Sequence, residues 1–279
     1  VNDPHTPVVP NKEFLGKSDC GIYGDFVMEI DQTVGNIVKK VKDLGIYENT
    51  LIFFSSDNGP ETLTAEYREK FDHYSAWKFR GMKRDNWEGG HRIPLIASWP
   101  GTIERGVQNK RFVELADFFA TAADLTGFKT PESAGEDSYS MLPLLLGQDA
   151  PDYRTFAVHN SISGKWAIRK GKWKLLLHSG SGGNRTDAPE NDDPVQLYDM
   201  ESDPYETTNV YLTHSEIVTD LKALCEEQIT RGRSTPGPAQ QNDPDGNWVQ
   251  LGELLELRAY KGRASRKTGA SVPCTCEKL

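Results

Sequence analysis

Asn49-Thr-Leu-Ile-Phe-Phe-Ser-Ser-Asp-Asn-Gly-Pro-Glu61 is the stretch on which the fold turns. Residues 50–54 are short, apolar and rich in β-branched or aromatic side chains, which is the signature of a buried strand. The run stops abruptly at Ser-Ser-Asp-Asn-Gly. In an open α/β sheet, ligands bind at the carboxyl ends of strands. Asp57 and Asn58 are adjacent oxygen donors at such an end, and carboxylate and amide oxygens suit Ca²⁺ or Mg²⁺. Gly59 lets the chain turn after them. Taken alone, Asp-Asn-Gly is equally ordinary turn chemistry.

Moving outward, the stretch continues through Trp77-Lys-Phe-Arg-Gly-Met-Lys83 and Trp87-Glu-Gly-Gly90 to a second apolar run at 95–99. Four motifs then stand in order: Ser56-Asp57-Asn58-Gly59, Arg80-Gly81-Met82-Lys83, Trp87-Glu88-Gly89-Gly90-His91-Arg92-Ile93-Pro94, and Trp99-Pro100-Gly101. Together they resemble the type I, formylglycine-dependent sulfatases of the alkaline phosphatase superfamily. His5-Thr6-Pro7 is similar to the His-x-Pro segment that precedes the long helix in that family. The resemblance implies that Asp57 and Asn58 bind a divalent cation, Ca²⁺ or Mg²⁺, and that His5 and Lys83 are catalytic and sulfate-binding residues. It also implies an arylsulfatase-like sulfuric ester hydrolase acting on a sulfated small molecule or sulfated sugar, in an exported, periplasmic or secreted location.

Bulk properties set limits. The chain has 279 residues, with 32 Lys+Arg against 41 Asp+Glu and a net charge of -9. Nucleic-acid binders present a basic face, so this balance speaks against that role. No apolar run approaches the ~20 residues of a membrane span. Val1-Asn2-Asp3-Pro4 has neither the basic start nor the apolar core of a signal peptide. The four cysteines, Cys20, Cys225, Cys274 and Cys276, fix no pairing.

Residues 23–44 carry an apolar stripe at three- and four-residue spacing, with acids early and lysines late, and predict an amphipathic helix closed by Gly45. Asp31 on it reads as a solvated or pairing carboxylate. The loop between Pro60 and Trp77 lies over the strand end and borders the substrate in an open sheet. His73 within it reads first as a surface histidine and second as a substrate contact. Lys83 sits among Arg80, Arg84 and Arg92, which is either a solvated basic loop or a cradle for a dianion. Glu88 is expected to anchor a turn. A second amphipathic helix is expected at 111–126.

After 149–152 the pattern changes to short strands at 155–159, 165–169 and 173–178, the last two as a hairpin. Residues 179–193 are Gly-, Ser- and Asn-rich and predict a mobile loop. The run Leu197-Tyr-Asp-Met-Glu-Ser-Asp-Pro-Tyr-Glu206 and Asn209 resembles a family segment read as structural. A helix is expected at 214–231 and a short one at 251–260, with a basic tail after it. The fold expected is therefore α/β: part of an alkaline phosphatase-like doubly wound sheet over residues 1–150, an α+β subdomain over 151–232 with an antiparallel sheet and packed helix, and a loosely structured tail over 233–279.

Two parts of the family pattern are missing. No Cys-x-Pro-x-Arg occurs, so the formylglycine nucleophile is not in this chain, and neither is the early Asp-Asp pair that completes the metal shell. Cys20 is followed by Gly-Ile-Tyr and does not fit. The expectation is a C-terminal portion of a sulfatase, inactive by itself. The alternatives are a phosphodiesterase or phosphonate monoester hydrolase relative, and a non-catalytic anion-binding remnant.

Overall fold

The computed structural model describes residues 5, 7–61, 63–151, 153–183 and 193–242. The architecture is mixed α/β, with two small antiparallel sheets. The helix and basic stretch expected beyond 250 lie outside the described residues, as do residues 184–192 of the expected mobile loop.

A 3-10 turn at Lys12–Phe14 leads into helix α1, Gly21–Asp43. Lys40 and Lys42 fall in its last turn and Gly45 follows at φ +70°. Leu44 and Gly45 donate back to Lys40 and Lys42 carbonyls, satisfying the helix end. Asp25 fastens the entering chain. Its carboxylate accepts the backbone N–H groups of Gly16, Lys17 and Ser18, and these hold it below the usual carboxylate range. Asp31 is exposed.

Strand β1, Ile52–Ser55, pairs antiparallel with β2, Leu95–Ser98, in the register Ile52↔Ser98 to Ser55↔Leu95. The expected doubly wound sheet would pair strands in parallel. Among the described residues every pairing is antiparallel, because the 56–94 connection returns the chain alongside β1 in reverse. That connection holds α2, Thr64–Phe71, and the single turn α3, Glu88–His91.

Helix α4 covers Asp117–Thr126, shorter than the 111–126 expected. Buried Asp117 explains the late start. Its carboxylate accepts N–H groups from Glu114 and Tyr139, the Tyr153 hydroxyl and the Arg154 guanidinium, so residues before it are pulled out of helical register. A turn, α5, follows at Leu142–Leu145.

The second sheet is a meander, β3 (Phe156–Asn160), β4 (Trp166–Lys170), β5 (Trp173–Leu176) and β6 (Gln196–Asp199). The hairpin expected between the second and third strands is present, with Lys170 opposite Trp173. Side chains alternate between faces with period two. Ile168, Leu175 and Leu197 point to one face and pack on Leu221, Cys225 and Ile229 of helix α6, Ser215–Arg231. Ala167, Leu176 and Tyr198 point to the other, where they meet Trp87. The sheet is thus covered on both sides, by a helix and by the loop that carries Lys83.

Candidate functional site

The site begins where β1 ends. Ser56 donates its hydroxyl to the Asn58 carbonyl at 2.8 Å, and Asn58 Nδ2 donates to Gly59 O at 2.9 Å. The amide nitrogen of Asn58 is therefore engaged with the turn, which directs Oδ1 the other way. Asp57 is exposed and Asn58 half-buried. Gly59 N–H donates to Gly90 O, Lys83 N–H to Pro60 O, and Gly89 N–H to Arg80 O, all within 2.7–2.8 Å. Three chain segments, at 57–61, 80–83 and 89–90, are laced backbone to backbone. A Cβ at Gly59 would fall 1.8 Å from Gly89 O, so only glycine permits this approach.

The structure thus brings Lys83 together with the Asp57–Asn58 turn. Lys83 Nζ lies 3.7 Å from Glu61, whose carboxylate also takes Arg84 in a two-pronged pair. Arg84 adopts φ +85°, and its carbonyl accepts the Ile162 N–H. His5 is exposed on the segment leading to α1. His73 lies at the far end of α2, its Nδ1 3.5 Å from Cys20 Sγ and its ring beside Tyr23.

Beneath the Lys83 loop is a buried polar network that sequence reasoning missed. Arg80 stacks on Trp87 at 3.6 Å and donates to Tyr198 and to the Glu206 carbonyl. Trp87 Nε1 donates to Gln196, and Asn86 donates to Lys165 O and to His178 Nε2. His178 must accept there, so its Nδ1 carries the proton donated to Ser179 O; burial holds it neutral and pushes its pKa down to about 4. Gly180, Ser181 and Gly182 are buried in this contact, so the start of the expected mobile loop is packed structure.

Glu88, expected as a turn anchor, reaches into this network. Lys174, fully buried, bridges Glu88 at 3.0 Å and Glu206 at 2.7 Å. Glu206 Oε2 also accepts the Glu88 N–H. Burial works to raise the Glu88 pKa, but Lys174, His91 and Arg169 together hold it below the usual range. In Glu206 burial wins and the pKa is raised. His91, in ring contact with His159 at 4.0 Å, is pushed down to about 3 by burial and then by Lys174. No signal in the sequence joins Glu88 to Glu206, which lie 118 positions apart.

A hard divalent cation suits the donor set at the turn, one carboxylate and one oriented amide oxygen. Two donors are a partial shell, and among the described residues no cluster of three His, Cys, Asp or Glu side chains forms a metal site.

Residues 1–128 match the family described as Sulfatase, and residues 79–233 match N-sulphoglucosamine sulphohydrolase, C-terminal. An N-acetylgalactosamine-6-O-sulfatase of Bacteroides thetaiotaomicron is 35% identical over 245 residues, 83% of this chain and 46% of that protein. A solved structure from the same organism, from a core genetic locus for metabolism of multiple glycosaminoglycans, superposes with a TM-score of 0.72 at 35% identity, covering 82% of this chain and 49% of that one. The structure of Ps i-CgsB in complex with k-i-k-neocarrahexaose superposes with a TM-score of 0.66 at 26% identity, covering 90% and 53%. The chain spans about half the length of the curated relatives it matches.

Proposed function

The chain belongs to the sulfatase family, and on that premise we propose that it supplies the cation- and sulfate-binding half of a site for sulfate-ester hydrolysis. The observation that carries this reading is the lacing of Lys83 to the turn that bears Asp57 and Asn58. It ties the Lys83 backbone to the segment that follows the Asp57–Asn58 turn, which supports a reading in which the lysine and the hard-oxygen donors serve one site. Asp57 and Asn58 would hold Ca²⁺ or Mg²⁺, which when bound supplies positive charge to sulfuryl oxygens. Lys83 contacts a further sulfuryl oxygen, where charge grows as the ester bond breaks. His5 comes to the same anion and gives its proton to the leaving oxygen.

The nucleophile comes from elsewhere. A formylglycine precursor and the early Asp-Asp pair belong to a preceding segment of a longer protein, in which the strands of a doubly wound sheet continue beside β1. In that protein, residues 1–150 complete the α/β domain and 151–232 form the α+β subdomain. The substrate class is a sulfated sugar, in keeping with the relatives' descriptions as an N-acetylgalactosamine-6-O-sulfatase and as a complex with k-i-k-neocarrahexaose.

The test is kinetic. In the longer gene product, Lys83→Ala lowers kcat/KM on an aryl sulfate by roughly 10²–10³, the loss typical of one charge-stabilising donor. An unchanged kcat/KM contradicts the assignment.

A further inference from the structure

The segment between α2 and Arg80 presents a feature that the hydrolytic site does not use. It is tethered at both ends. His73 lies against Cys20 and Tyr23 at one end, and Phe79 packs between Tyr205 and Arg92 at the other. Between these tethers, Tyr74 and Trp77 turn outward, 49% and 63% exposed. The Trp77 N–H closes a turn on Tyr74 O at 2.8 Å, and Lys78 Nζ lies 5.6 Å from the indole centre.

A lone exposed ring on a protein surface needs no explanation. Trp77 is different because its φ is +53°. Bulky residues rarely enter that region, and the strain is held by the tethers on either side. Among the described residues nothing covers the indole in return, since it is 63% exposed. Strain without compensation inside the chain directs attention to something outside it.

We propose that Trp77, with Tyr74 and Lys78, forms a saccharide subsite that stacks against a pyranose ring of the sulfated substrate. The assignment rests on the sulfated-sugar reading above and deepens it. A sugar ring offers an apolar C–H face with hydroxyls around its edge, which suits an amphipathic aromatic side chain with one face apolar and its surroundings wet. Lys78 adds attraction for a sulfate or carboxylate on that ring. Trp77 and Lys83 are six residues apart in sequence, so they lie within about 21 Å whichever path the chain takes. One short oligosaccharide can therefore reach both.

The experiment compares the chain with Trp77→Gly and Trp77→Phe by isothermal titration calorimetry. The probes are N-acetylgalactosamine 6-sulfate, a glycosaminoglycan disaccharide carrying it, and inorganic sulfate. Trp77→Gly weakens the disaccharide about threefold to tenfold, as expected for one lost aromatic contact. Trp77→Phe restores most of it, and inorganic sulfate binds all three proteins alike. Because glycine tolerates positive φ, Trp77→Gly also keeps or raises Tm. Disaccharide binding unchanged in Trp77→Gly, or a Trp77→Gly protein that no longer folds, overturns the subsite while leaving the sulfated-sugar reading in place. Failure of the unaltered chain to bind either sulfated sugar overturns both.

Discussion

Lys174 is the residue on which the small sheet and the Lys83 loop depend together. It is fully buried between Glu88 and Glu206. Such a charge is tolerable only because two carboxylates face it, and removing one member leaves the others buried without compensation. Lys174→Met is therefore expected to destabilise the protein by roughly 3–5 kcal/mol, read from urea denaturation. The triple change Lys174→Met, Glu88→Gln and Glu206→Gln should recover a large part of that loss; a single variant as stable as the parent would show that the pair contributes nothing. This residue was illegible in the sequence for a physical reason. In Trp173–Leu176 it occupies the alternate position of a strand, which reads as the solvent side of a half-buried sheet. The reading fails because the Lys83 loop covers that side. Asp57, Asn58 and Lys83 can be singled out from the sequence because they sit within contiguous motifs, whereas the Glu88–Glu206 contact is visible only once the chain has folded.

Local patterning placed the elements better than it placed their partners. The stripe over 23–44 marks α1, and the alternation around Gly171 marks the β4–β5 hairpin, because both signals arise from neighbours along the chain. The direction of β1 against β2 depends on the path of the 56–94 connection, and the apolar run itself carries no record of that path. Likewise the stripe over 111–126 does not register that Asp117 will bind four partners and start the helix late. Covering the sheet's second face has a measurable consequence. His91, His159 and His178 lie among the groups beneath the loop, and burial holds all three pKa values down. A histidine with a depressed folded pKa binds fewer protons folded than unfolded, so its contribution to stability is present above the unfolded value and lost as pH falls below it. For His178 the loss between pH 7 and pH 5 is roughly 2 kcal/mol. Glu114 and Glu206 work the other way: burial raises Glu114 to about 7 and raises Glu206 as well, so the two carboxyls offset part of what the three histidines lose. The urea midpoint should therefore fall from pH 7 to pH 5. A flat or rising midpoint would mean these imidazoles are not held neutral.

At the scale of the molecule, the meander and α6 form a core that is closed on both faces, and the Lys83 loop is one of its covers. The proposed site would consequently be shared between two parts of the chain. Asp57 and Asn58 hang from β1, while Lys83 is held in place from below by Trp87, Asn86 and Glu88 against the meander. The β1–β2 ribbon is less enclosed: Ile96 of β2 is exposed, as are Ile22, Val27 and Ile37 of α1. In the reading proposed above, the Asp57–Asn58 turn and Lys83 form one site, taking a cation and a sulfate together. Isothermal titration of inorganic sulfate with and without saturating Ca²⁺ tests it most directly. Ca²⁺ is expected to tighten sulfate binding, Asp57→Ala to abolish this enhancement, and Lys83→Ala to weaken sulfate while leaving Ca²⁺ binding intact. Sulfate affinity that is indifferent to Ca²⁺ and to both substitutions would contradict it.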